Sequence, residues 1–135
     1  MFPHEEMIHI RREKIANIAK DIPDLEIHGD KDSDTLLIGW GGTFGHLYTA
    51  MEELNKAGKP VAFVQFRYIN PLPRNTHDVL KRYKKVIVAE LNMGQFADYL
   101  QAKFHDVYVQ RINKVQGQPF LVHEIIDGVT KIMED

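Results

Sequence analysis

From His4 to Asp21 the apolar residues Ile8, Ile15, Ile18 and Ala19, followed by Ile22, recur at helical spacing with charges between them. This predicts an amphipathic helix that ends near Pro23. Such a helix buries one stripe and needs a surface to pack on. Leu25–Gly29 reads as a short strand, and Gly29–Asp34 as a polar turn. Thr35-Leu-Leu-Ile38 is apolar on both faces, the pattern of a strand with helices on each side of its sheet, and Gly39–Gly42 closes it as a tight loop. Phe44, Leu47, Tyr48, Met51 and Leu54 predict the next helix, stopped by Gly58, with Lys56 and Lys59 at its negative end. Val61–Phe66 is a second buried strand. Arg67–Arg74, with Pro71 and Pro73, is a fixed loop, and Asn75 stands where it would cap a short helix running through Tyr83. Val86–Ala89 is a third buried strand, and Phe96, Leu100 and Phe104 place a helix over Gly94–Phe104. Val107–Ile112, with Gln110 and Arg111 inside it, alternates like a strand nearer the sheet edge. The last helix runs from about Pro119 through Val122, Ile125, Ile126, Val129 and Ile132.

Strands alternating with helices predict an α/β fold, a parallel-type sheet in a three-layer α/β/α sandwich with right-handed crossovers. No internal repeat, low-complexity stretch or composition break divides the 135 residues, so residues 1–135 read as a single domain. In such sheets contacts concentrate on loops at the carboxyl ends of strands, here 39–46, 67–74, 90–95 and 113–119.

Composition removes several function classes. With 17 basic and 19 acidic residues and a formal charge of -2, the chain has no broad basic field, and neither nucleic acid nor a membrane surface is expected as a partner. Zero cysteines exclude disulfides, a thiol nucleophile, a cysteine zinc site and cysteine-bound clusters on this chain. No apolar run approaches the roughly 20 residues of a membrane span, and Met1–Arg12 has no signal-peptide core, which points to the cytoplasm. Met1-Phe2-Pro3 begins abruptly before the first helical pattern, compatible with a full protein or with a piece cut at a linker.

Gly39-Trp40-Gly41-Gly42-Thr43-Phe44-Gly45 follows a strand and opens a helix, as a dinucleotide-binding fingerprint does. Its spacing, G-x-G-x-x-x-G, is one residue too long, and the second strand ends Gln65-Phe66-Arg67 without the acidic residue that would hold a ribose. A structural turn or docking loop outweighs a nucleotide site. His4 and His9 lie five apart, about 140° around a helix, and do not share a metal. Among the other histidines only His46, in the first turn after the glycine loop, is placed to meet a ligand. Glu90 ends a central strand, where a carboxylate works as an acid or base in a cleft, or more often caps the next turn together with Asn92. Arg67 and Tyr68 suit either an anion grip or a stacked structural pair. Asn113-Lys114-Val115-Gln116-Gly117-Gln118-Pro119-Phe120 is polar and long-armed, better suited to hydrogen bonding with another protein surface than to chemistry.

Taken together, Leu37–Gly45, Phe66–Arg74 with its Asn70-Pro71-Leu72-Pro73 run, Val88-Ala-Glu-Leu-Asn-Met-Gly-Gln95 and Asn113–Phe120 resemble the C-terminal domain of the α subunit of 2-oxoacid:ferredoxin oxidoreductases. The second and fourth blocks are closer to the 2-oxoglutarate type than to the pyruvate type. The resemblance runs from about His4 to the C-terminus, including Arg11, Glu13 and Lys14. It implies a transketolase C-terminal-like fold: a five-stranded, mostly parallel mixed sheet with one antiparallel strand, for which Leu25–Gly29 is the candidate. It further implies a whole enzyme with thiamine diphosphate and Mg between an earlier α-subunit domain and a β subunit, iron-sulfur clusters passing electrons to ferredoxin, and coenzyme A accepting the acyl group. The segments that hold those cofactors have no counterpart in this sequence, so none is expected on this chain and no catalytic residue is carried over.

The expectation is therefore a structural and interface domain, a fragment of a longer α subunit and inactive alone, contacting the rest of that subunit and a β subunit. Its candidate interface residues are Trp40, Gly41, Gly42, Thr43, His46, Arg67, Tyr68, Asn70, Glu90, Asn92, Gln95, Asn113, Lys114, Gln116, Gln118 and Phe120. The alternatives are a stand-alone nucleotide-binding module using Gly39–Gly45 and a free-standing adaptor.

Overall fold

The computed structural model describes residues 21–91, 95–114 and 118–135. The helix predicted over His4–Asp21 lies outside them, apart from Asp21. Five strands form one sheet: β1 His28–Gly29, β2 Thr35–Trp40, β3 Ala62–Phe66, β4 Lys85–Leu91 and β5 Val109–Lys114. Among the described residues the helices that accompany them are α1 Phe44–Lys56, α2 Thr76–Leu80, α3 Gln95–Lys103 and α4 Val122–Glu134. The sheet order is β1-β3-β2-β4-β5, and only the β1–β3 pairing is antiparallel. This is the mixed five-stranded sheet expected, with the antiparallel strand inside Leu25–Gly29 but only two residues long. No helix among the described residues is long and apolar enough to cross a membrane.

Register explains why the strand sequences do not alternate. Leu37 lies beside Phe63 and Ile87, while Ile38 lies beside Val64 and Val88. The first set faces Leu47, Ala50, Met51 and Leu54 of α1 and Ile125 and Val129 of α4. The second set faces Val79 and Leu80 of α2 and Phe96, Ala97 and Leu100 of α3. Both sheet faces are covered, so successive residues are apolar, and each fully buried aliphatic or Phe side chain contributes roughly 1.5–3 kcal/mol.

Several boundaries differ from the sequence pattern for identifiable reasons. β2 runs on through Gly39 and Trp40, and the tight turn is a 3-10 turn at Gly41–Thr43. α2 ends at Leu80 and not at Tyr83. Asn75 does not cap it, because its amide oxygen accepts from the Leu25 N–H at 2.8 Å and its amide nitrogen donates to the Leu25 carbonyl at 3.2 Å. β5 starts two residues later than Val107, whose carbonyl accepts from Gln101 Nε2 at 2.6 Å. α4 starts at Val122 and not near Pro119, since Glu124 accepts the Leu121 N–H at 2.7 Å and so fixes the first turn there.

Candidate functional site

The chain leaves β2 for β3 on one side and returns to β4 on the other, so the carboxyl ends of β2 and β4 form the switch point of the sheet. A cleft of about 320 Å³ opens there, lined by Trp40, Gly41, Gly42, Thr43, His46, Glu90, Leu91, Pro119 and Phe120. The glycine loop, the Glu90 loop and the end of the 113–120 block are thereby brought together. A second cleft, of about 250 Å³, lies at the end of β3, where Asp24, Glu26, His28, Phe44, Gln65, Arg67, Tyr68 and Pro73 are among its walls. The start of α1 separates the two clefts, since Phe44 lines one and His46 the other.

The glycine turn is held from inside. Gly41 adopts φ 69°, the left-handed region open to glycine. Thr43 Oγ1 donates to the Trp40 carbonyl at 3.0 Å, and Gln65 Nε2 donates to the Gly41 carbonyl at 3.0 Å. A side chain on Gly39 would land on Leu47 Cδ1 and Gln65 Oε1. Gln65 is thus a positioning residue that the sequence reading passed over. Its signal was a polar side chain within the apolar run Val61–Phe66.

Glu90 is 2% exposed, yet its oxygens are occupied. Oε1 accepts from the Phe96 N–H at 2.9 Å and Oε2 from the Ala97 N–H at 2.8 Å, which caps α3. Trp40 is partly buried, with its ring 5.6 Å from that of Phe96. Phe120 is 3% exposed and belongs to the core beneath α1 and α4. Lys114 donates to Glu124 at 2.6 Å, and this hydrogen bond, ahead of the one from the Leu121 N–H, holds the Glu124 carboxyl below its usual range. Gly41, Gly42, His46, Arg67, Tyr68, Asn70, Gln95, Asn113 and Gln118 are exposed, and Asn113 stands opposite Glu90 in the sheet register. Asn92 and Gln116 lie outside the described residues.

These groups offer shape and hydrogen bonding but no reaction centre. Among the described residues no group of three or more His, Asp or Glu side chains converges to hold a metal ion, and the sequence supplies no cysteine for a cluster. The described residues offer no ligand set for the magnesium or iron-sulfur groups implied by the resemblance. Among the described residues a histidine–carboxylate pair, His77 Nε2 to Asp106 at 2.7 Å, is exposed and ties α2 to the turn before β5.

The chain is 42% identical over 123 residues to the 2-oxoglutarate oxidoreductase subunit KorA of Mycobacterium tuberculosis, covering 90% of this chain and 18% of that one. It is 31% identical over 137 residues to the α subunit of 2-oxoacid:ferredoxin oxidoreductase 1 of Aeropyrum pernix, covering 96% of this chain and 21% of that one. The chain thus spans about a fifth of the length of these curated relatives. Among solved structures, the 2-oxoglutarate:ferredoxin oxidoreductase from Magnetococcus marinus, with 2-oxoglutarate, coenzyme A and succinyl-CoA bound, superposes with a TM-score of 0.86. The identity is 27%, and the match covers 95% of this chain and 23% of that one. A split-gene transketolase shares the fold, with a TM-score of 0.63 at 13% identity over 81% of this chain and 41% of its own. Residues 33–125 match the family described as pyruvate:ferredoxin oxidoreductase core domain II, and the chain belongs to that family.

Proposed function

We propose that this chain is the C-terminal, transketolase-like domain of the α subunit of a 2-oxoacid:ferredoxin oxidoreductase of the 2-oxoglutarate type. The observation that carries the reading is the near-complete superposition of this chain on one piece of a 2-oxoglutarate:ferredoxin oxidoreductase. In that role the domain completes the subunit and braces its neighbours, while thiamine diphosphate, Mg and the iron-sulfur clusters sit on other segments. The whole complex then oxidatively decarboxylates a 2-oxoacid to acyl-CoA, reduces ferredoxin and works in the cytoplasm. The isolated chain is inactive. An open cleft at the switch point, with no group of metal-ligating side chains among the described residues and no cysteine in the sequence, suits docking better than catalysis. The nucleotide-binding reading of Gly39–Gly45 is not supported, because β3 ends at Gln65-Phe66, followed by Arg67 and not by an acidic residue, and Gln65 itself occupies the inner side of the turn.

The test is to capture the native polypeptide from source cells with an antibody to this domain, then measure its mass, its partners and its turnover. A chain several times longer, bound to a second subunit and reducing ferredoxin with a 2-oxoacid and coenzyme A, is expected. A free 15.6 kDa protein without partners would overturn the reading.

A further inference from the structure

We draw no further inference here: the strongest candidate, the cleft of mixed charge at the carboxyl end of β3 where Asp24, Glu26, His28, Arg67 and Tyr68 meet, carries none because nothing in the structure shows what covers it.

Discussion

The carboxylate of Glu90, at the end of β4, accepts the backbone N–H of Phe96 in the first turn of α3 at 2.9 Å, across six residues of chain. Its other oxygen takes the Ala97 N–H, so one buried side chain satisfies two of the orphan donors of a helix whose axis begins above the sheet. Charge-assisted bonds of this kind contribute more than neutral ones, and removal leaves buried donors unpaired. Glu90→Ala should therefore lower stability by about 2–4 kcal/mol. Glu90→Gln, which keeps one acceptor, should cost about half as much. Urea midpoints at unchanged m-value would measure both. A neutral Glu90→Ala would mean that α3 finds its cap elsewhere.

Asn55 and Val61 are joined in the same manner. The Val61 N–H donates to Asn55 Oδ1 at 2.8 Å, and Asn55 Nδ2 donates to the Val61 carbonyl at 3.1 Å. The amide imitates a neighbouring strand at the entrance to β3, on buried Val61, whose carbonyl also accepts the Asp30 N–H at 3.1 Å. Asn55→Ala removes both bonds and should cost about 1–3 kcal/mol, whereas Asn55→Asp keeps the acceptor and loses the donor, an intermediate loss. Thermal melts of the two variants would rank them; equal melting temperatures would show that water replaces the amide at no cost.

The strands and most helices were legible because burial on both sheet faces, or on one helix stripe, writes a local pattern. Leu36, Leu37 and Ile38 needed no partner to be read. The end of α1 was also legible, with Gly58 at φ 78° just past Lys56. Long-range clamps were not. Asn75 reaches Leu25 across 50 residues, so its sequence position suggested a helix cap that the structure spends on another segment. Gln101, which receives the Val109 N–H and donates to the Val107 carbonyl, shifted the start of β5 for the same reason. At the strand ends, the capping role of Glu90 was among the readings the sequence offered, whereas the burial of Phe120 depended on contacts no spacing reveals.

Acid should loosen two side-chain ties. Asp106 is held below the ordinary carboxylate range first by its hydrogen bond with His77, and Glu124 first by its hydrogen bond with Lys114. A carboxylate depressed on folding adds stability that is complete above its unfolded pKa and lost as pH falls through the folded value. Stability should be level in mildly acidic solution and decline below about pH 4. Lys114→Met should flatten that decline, and about 0.5 M salt should do so partly, because the His77–Asp106 pair is exposed and the Lys114–Glu124 pair only partly buried. Melting temperatures from neutral to strongly acid pH would test it; an identical acid limb in Lys114→Met would rule out the Glu124 contribution.

Gly39 and Gly41 need glycine for different reasons, and the difference is measurable. At Gly39 the obstacle is space, since a Cβ would press on Leu47 and Gln65. At Gly41 space is open and the obstacle is φ 69°. Gly39→Ala should therefore cost about 1–3 kcal/mol through overpacking. Leu47→Ala should relieve part of it, so the pair is non-additive. Gly41→Ala should cost about 1 kcal/mol, and Gly41→Asn should recover some of that because asparagine tolerates the left-handed region. Additive costs for Gly39→Ala with Leu47→Ala would contradict the steric account.

Phe120 and Trp40 both border the switch-point cleft, but only one reports on docking. Phe120 is 3% exposed and sits within the core formed by α1 and α4, so Phe120→Ala should lower stability by about 3–5 kcal/mol through the cavity it leaves. Failure of that variant to assemble would say nothing about an interface, because much of the stability of a small domain would already be gone. Phe120→Leu keeps most of the volume and should cost about 1–1.5 kcal/mol, leaving a folded domain in which docking can be read. Trp40, partly buried against Phe96, is the cleaner probe: Trp40→Phe should hold that contact while trimming the wall of the cleft. If docking uses this cleft, Trp40→Phe weakens assembly at a stability within about 1 kcal/mol of the parent, whereas Phe120→Leu loses assembly only in step with its lost stability. Unfolding midpoints measured beside association constants for the same two variants distinguish these outcomes. Undiminished association in Trp40→Phe would take the cleft at β2 and β4 out of the interface.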